Sequence, residues 1–276
     1  MNEKPIGMFD SGVGGLTVVR AIIDRLPSEH IIYLGDDARG PYGPRSLDEV
    51  KRFAFEIIDY LLGFGVKLVV IACNSATAAA LEDAQCRYDI PIVGVIVPGV
   101  RAALQYTKNK KIGVIGTECT INSMSYQKAL RRLDPSAEII GQACPEFVEY
   151  VERGETDGER IAKVARSYLE PLASSIDTLI LGCTHYPLLQ ELIQQVVGED
   201  VKLVSSAEET AIEVEDILGH LGWARNSCEL GVHYFLTTGD ASKCRELGKM
   251  FLGPEVENVI AVDPDFRTRP NLDFPR

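Results

Sequence analysis

Residues 6–15 read Ile-Gly-Met-Phe-Asp-Ser-Gly-Val-Gly-Gly, and residues 112–117 read Ile-Gly-Val-Ile-Gly-Thr. Each is a short apolar run that ends on a polar residue. In the first case a periodic apolar stretch follows from Leu16 to Leu26, which is the grammar of strand, turn and helix. The distance between the two, 106 residues, is not isolated. Ile31-Ile32 is matched by Ile139-Ile140 at an offset of 108, and VVIACNSA from Val69 by LILGCTHY from Leu179 at 110. Pro91-Ile92-Val93 has its counterpart in Val201-Lys202-Leu203, again at 110. Several matches in the same order at a nearly constant offset indicate an internal repeat of α/β units.

Working outward, strands are expected at Ile31–Leu34, Leu68–Ala72, Ile92–Ile96, Glu138–Gln142, Thr178–Leu181, Lys202–Ser205 and His233–Thr237, with helix-like stretches between most of them. Apolar strands alternating with helices imply parallel sheets covered on both faces. The expected fold is α/β: two similar parallel-sheet domains related by internal pseudo-symmetry, with the active site in the cleft between them. Residues 1–98 plus 207–276 form one domain and 99–206 the other. Residues beyond Ala207 have no repeat partner. They are expected to give a long helix through Leu221, then a strand and a helix returning to the first domain, and a proline-rich surface tail from Asp263 to Arg276.

A net charge of −12 argues against long-range attraction to nucleic acid or to an anionic membrane. The opening MNEKPIGMFD lacks the basic flank and apolar stretch of a signal peptide, and the apolar runs fall short of the roughly 20 residues that span a bilayer. A soluble, cytoplasmic chain is expected. Its seven cysteines, at 73, 86, 119, 144, 183, 228 and 244, contain no C-x-x-C pair and suggest free thiols, some of them reactive.

Cys73 and Cys183 occupy equivalent places in the repeat, each ending a buried-looking strand and opening a helix. The unpaired N–H groups of a helix N-terminus favour a thiolate and are expected to lower a thiol pKa from about 8.5 toward neutrality. The bland alternative for either cysteine alone is a small buried hydrophobe. Two thiols facing one another across a cleft suit disulfide exchange, nucleophilic catalysis, or removal of a proton from one face of a carbon with delivery to the other. Nucleophilic catalysis needs only one thiol. A racemisation uses both, as base and as acid on opposite faces of a planar carbanion.

Asp10 and Ser11 close the first strand, where either is an N-cap or part of the cleft rim. His185, two residues after Cys183, is able to share a proton near neutral pH, or is a structural donor. His30, His220 and His233 have no comparable context and read as structural. Asn74, Ser75, Thr77, Thr117 and Thr120 offer donors at helix N-termini, an arrangement that holds carboxylates, although an ordinary cap is the safer reading of Thr120. Pro41-Tyr42-Gly43 lies in a loop flanked by Arg39 and Arg45. The glycine-rich turn Ser11–Gly15 has neither the lysine of a P-loop nor dinucleotide spacing.

These residues resemble those of the glutamate racemases of the aspartate/glutamate racemase superfamily. The resemblance rests on Phe9–Leu16, Pro41-Tyr42-Gly43, Ala72-Cys73-Asn74 and Gly182–Leu188, in that order, and so reaches from near the start to Leu188. It implies that Cys73 and Cys183 are the two bases, assisted by Asp10, His185 and Glu152. It also implies that Asp10, Ser11, Tyr42, Gly43, Asn74, Ser75, Thr117, Thr120, Thr184 and His185 contact the substrate. Glu152 competes with Glu149 and with the reading of a surface helix acid. Where the family commonly has Thr after Cys-Asn, this chain has Ser75. The resemblance further implies interconversion of L- and D-glutamate without cofactor or metal, for cell-wall peptidoglycan. Glutamate is the expected small-molecule partner, nucleic acid and membrane are not expected, and a homodimer stays open. A racemase for aspartate or another small acid, a non-catalytic glutamate-binding module and a thiol redox protein are the rival readings.

Overall fold

The computed structural model describes residues 3–274. The first half runs β1 (Ile6–Asp10), α1 (Leu16–Arg25), β2 (Ile31–Gly35), α2 (Leu47–Leu62), β3 (Leu68–Ile71), α3 (Asn74–Arg87), β4 (Ile92–Gly94) and α4 (Ile96–Tyr106). The second runs β5 (Lys111–Gly116), α5 (Glu118–Asn122), α6 (Ser125–Leu133), β6 (Glu138–Ala143), α7 (Glu146–Glu152), α8 (Glu159–Ala173), β7 (Thr178–Gly182), α9 (Gln190–Val197) and β8 (Lys202–Val204). The chain then adds α10 (Ala207–Leu221), β9 (His233–Thr237), α11 (Ala241–Leu252) and β10 (Val259–Ala261).

The repeat is visible as topology. All pairings are parallel, and the halves share one strand order: β2-β1-β3-β4 in the first, β6-β5-β7-β8 in the second. β9 and β10 extend the first sheet beyond β2. Registers agree as well. Ile6 lies between Ile31 and Leu68, and its repeat partner Ile112 lies between Ile139 and Thr178. At the last strand the match slips by one residue. Val69 pairs with Ile92 but Leu179 with Leu203, an offset of 111 between Ile92 and Leu203 rather than the expected 110. The connections are equally long, four residues between α3 and β4 and four between α9 and β8, so the slip is one of pairing register.

Strands β1, β2, β3 and β7 are buried along their whole lengths, which is why they read as unbroken apolar runs. Each sheet has a core on both faces. In the first, α1, α10 and α11 cover one side around Val19, Ile22 and Val214, and α2 with α3 covers the other around Phe53, Ile57 and Ala80. In the second, α8 and α9 pack around Phe147, Leu169 and Ile193, and α4 with α6 around Val100, Tyr126 and Leu130. Helix starts follow local chemistry: Ser46 caps α2 by accepting from Glu49 N, with Asp48 and Glu49 in the first turn.

Two features at the carboxyl end go beyond what was expected. β10 had no sequence signal, being three residues long and on the sheet edge. The segment from Asp263 is a surface tail, as expected, and it is docked: Phe266, Leu272 and Phe274 pack on the α2 side of the first sheet. Tyr60 Oη donates to Thr268 O at 3.0 Å, and Arg269 Nε donates to Tyr60 O at 3.1 Å. The last two residues of that expected tail lie outside the described chain.

Candidate active site

In a parallel sheet the crevice opens where successive strands are laid down on opposite sides of the first. Here that point lies between β1 and β3 in one half and between β5 and β7 in the other. Asp10 ends β1, Cys73 follows β3, Thr117 follows β5 and Cys183 follows β7. The four strand ends converge on one cavity of about 140 Å³. Pockets for drug-sized ligands run to roughly 300–1,000 Å³, so this one fits a small metabolite.

Ser11, Tyr42, Gly43, Cys73, Asn74 and Ser75 line it from the first half, and Thr117, Glu152, Cys183, Thr184 and His185 from the second. Asp10 and Thr120 stand immediately behind, both buried. Asp10 accepts from Ser11 N at 2.7 Å and from Thr184 Oγ1 at 2.9 Å, the latter across the seam between the halves. It is not the cap of α1, which starts after Gly15. Thr120 is not a cap either. Thr117 caps α5, while Thr120 joins Ser75 and Thr117 in a buried hydroxyl cluster, with Ser75 Oγ 2.8 Å from Thr117 Oγ1 and 3.2 Å from Thr120 Oγ1. Cys119 N donates to Gly43 O at 3.0 Å and ties the Tyr42 loop to α5. Gly14 permits this closeness: a β-carbon there would meet Thr184 Oγ1 at 2.4 Å and His185 Nδ1 at 2.8 Å.

The two thiols are equivalent in position but not in surroundings. Cys73 N-caps α3, as expected, yet its pKa is raised well above the usual thiol range instead of lowered. Burial is the main cause and the Asp10 carboxylate adds to it; the Ala76 N–H of the helix N-terminus opposes them and loses. Cys183 is followed by a single 3₁₀ turn, Tyr186–Leu189, with Pro187 near its start, and α9 begins only afterwards. In place of a helix terminus, Cys183 has His185, with Sγ 3.8 Å from Nδ1. Burial alone would pull the imidazole pKa down, but Cys183, Glu152 and Asp10 outweigh it and lift it to about 10. Glu152 Oε1 lies 3.3 Å from His185 Nε2, and that pairing holds the Glu152 carboxyl below its usual range. At neutral pH the site therefore holds a protonated Cys73 thiol on one side and the Cys183 sulfur beside an imidazolium on the other.

Other participants were not legible in the sequence. Asp36, fully buried after β2, accepts from Tyr42 Oη, from Arg39 Nε at 2.7 Å and from Thr238 Oγ1 at 2.9 Å, and so fixes the Tyr42 loop. Arg39 and Arg45 do not reach the cavity; they pair with Asp36 and Glu56, and with Glu49. Glu118 and Val148 do reach it, as does Glu149, which the sequence had set against Glu152. The only available signal was position: Asp36 sits past a strand end, while α7 carries no pattern that separates Val148 from its neighbours. No lysine or arginine is among the described residues lining the cavity. A carboxylate there meets hydroxyl, amide and backbone donors.

Comparison with known proteins agrees with this geometry. A family model described as Asp/Glu/Hydantoin racemase matches residues 10–214. The chain is 52% identical over 260 residues to the glutamate racemase of Corynebacterium diphtheriae, covering 94% of this chain and 98% of that one. The crystal structure of glutamate racemase isoform RacE1 from Bacillus anthracis superposes with a TM-score of 0.92 at 47% identity, over 95% of this chain and 98% of that chain. The Francisella tularensis glutamate racemase, solved in complex with D-glutamate, gives 0.89 at 35% identity, over 96% and 99%. The chain belongs to the Asp/Glu/Hydantoin racemase family, among its glutamate racemases.

Proposed function

We propose that this chain interconverts L- and D-glutamate by a 1,1-proton transfer at Cα between Cys73 and Cys183, without a cofactor. The carrying observation is that two thiols from equivalent strand ends of the two halves line one small cavity. Asp10 assists Cys73, and His185 with Glu152 assists Cys183. For L-glutamate, Cys183 as a thiolate beside the His185 imidazolium takes the α-proton, and the protonated Cys73 thiol delivers one to the opposite face. For D-glutamate the roles reverse, and Asp10 is placed to hold the proton that Cys73 gives up. Ser11, Tyr42, Gly43, Asn74, Ser75, Thr117, Thr120 and Thr184 are proposed to hold the substrate. Their donors, in a site that excludes water, stabilise the carbanion-like transition state. In the cell the product would serve peptidoglycan synthesis.

The experiment is direct. In heavy water, either enantiomer is expected to move toward an equal mixture, with solvent deuterium in the product and little in substrate recovered early. A chain that binds glutamate but leaves its optical rotation unchanged would be a binding module. Label appearing equally in substrate and product would point to one shared base.

We further propose the division into residues 1–98 plus 207–276, and 99–206; the membership of the two sheets supports it. Among the described residues no helix is long and apolar enough to cross a membrane. The cytoplasm is the proposed compartment, and sedimentation equilibrium distinguishes a monomer from a homodimer.

A further inference from the structure

Tyr126 does not line the cavity, yet it touches the residue next to each thiol. Its hydroxyl donates to Asn74 Oδ1 at 2.7 Å, from α6 of the second half to the first residue of α3. Its ring lies against Gly182, which precedes Cys183, so closely that a β-carbon on Gly182 would come within 3.2 Å of ring atom Cε2. Tyr126 is fully buried, and burial, reinforced by Cys183, raises its pKa, so the hydroxyl stays a donor.

The partner is informative. An asparagine amide can turn over, exchanging an acceptor for two donors. With its oxygen held by Tyr126, Asn74 keeps its Nδ2 group without a protein partner among the described residues, while the residue itself lines the cavity. Among the described residues lining the site there is no lysine or arginine, so each such donor counts toward a bound carboxylate. The backbone is also set for this contact. Met124, between α5 and α6, adopts φ 57°, a costly conformation for a residue with a side chain. Ser123 braces the turn, donating from Oγ to Thr120 O at 2.6 Å and accepting from Ser125 N at 3.1 Å. The turn lets Thr120 on α5 enter the hydroxyl cluster while Tyr126 on α6 reaches Asn74.

We propose that Tyr126 is a positioning residue for racemisation: when the two halves are closed, it locks the Asn74 amide with its NH₂ group toward the substrate carboxylate. The proposal rests on the racemase reading above. Tyr126→Phe keeps the ring on Gly182 and removes only the hydroxyl. The expected result is about a tenfold fall in kcat/KM, carried mainly by KM, as for one lost oriented hydrogen bond. In an Asn74→Ala background the same change is expected to matter less than about twofold, because no amide remains to be oriented. A folded Tyr126→Phe protein with unaltered kinetics, or a loss undiminished in the Asn74→Ala background, overturns the proposal. Should Tyr126→Phe not fold, a crystal structure of the unaltered protein with glutamate decides. Tyr126 Oη is expected within hydrogen-bond distance of Asn74, and a separation beyond that distance overturns the proposal. If the unaltered protein fails to racemise glutamate, the racemase reading fails by itself, and the coupling is still read from glutamate Kd across the same four proteins.

Discussion

Cys73 and Cys183 are distinguished by what stands next to them: a carboxylate beside the first, an imidazolium beside the second. Replacing either by Ala is expected to abolish racemisation, because each direction needs one as base and the other as acid. The surviving thiol is expected to keep exchanging the α-hydrogen of one enantiomer, Cys183 that of L-glutamate and Cys73 that of D-glutamate. Deuterium uptake by mass spectrometry, on variants first shown to be folded and to bind glutamate, checks both. Near-normal racemisation by either variant would end the two-thiol assignment. Glu152→Gln makes a different test. Glu152 helps to lift His185 to about 10, so its loss lowers that pKa and the imidazolium discharges at lower pH. The alkaline limb of the pH–rate profile is expected to move down, and an unmoved limb would remove Glu152 from the proposed relay. At this scale the sequence was informative where chemistry and position coincided, as at both cysteines, Asp10 and His185. It misled on the Cys73 pKa, since burial cannot be read from a strand-end motif. Asp36 was missed because its partners come from residues 3, 6 and 202 positions away.

Elements meet the site through their ends, and small residues there decide how closely the halves approach. Gly14→Ala is expected to push Thr184 and His185 away from Asp10. Misplacement by about 1 Å can cost a reaction 10²-fold. A fall in kcat/KM of at least about tenfold is expected, with an unchanged melting temperature showing that the fold survives; unaltered kinetics would mean the loops yield freely. At the opposite end of the first sheet, β2 and β9 begin beside His30 and His233. Burial lowers both imidazole pKa values, that of His233 to about 4. Between about pH 4 and the unfolded value near 6.5, the unfolded chain binds more protons than the native one. This contribution to stability is complete above the unfolded pKa and is lost as pH falls toward 4. Urea midpoints are expected to drop from pH 7 to pH 5, and to drop less in a His30→Asn, His233→Asn double variant. An equal drop in both would place the acid sensitivity elsewhere. Long apolar strands and the capped helices were legible from pattern. Three-residue β10 and the docking of the tail were not, because spaced Phe and Leu residues in a proline-rich segment give no period.

At the scale of the molecule, two β2-β1-β3-β4-type sheets face one another with their strand ends together, and this was the most legible feature. The repeat carried it: matching registers follow from matching sequence, and the single slip is one of pairing at the last strand of each half. Both cysteines are nearly inaccessible, at 5% and 6% exposure, so substrate entry requires the halves to part. Glutamate is therefore expected to slow alkylation of Cys73 and Cys183 by a thiol reagent, read peptide by peptide, while exposed Cys86 and Cys228 react unchanged. Equal rates with and without saturating glutamate would count against closure. The docked carboxyl end has a practical consequence. Phe274 packs tilted against His30, with ring centres 5.2 Å apart, and edge-on against Tyr234 at 5.1 Å, at the start of strands β2 and β9, whereas the thiols lie past the other end of the sheet. Five strand residues at about 3.3 Å each separate the two by roughly 17 Å. A resin, fluorophore or biosensor surface joined through a cysteine put in place of exposed Asp273 would hold the protein by the end of the sheet opposite the thiols.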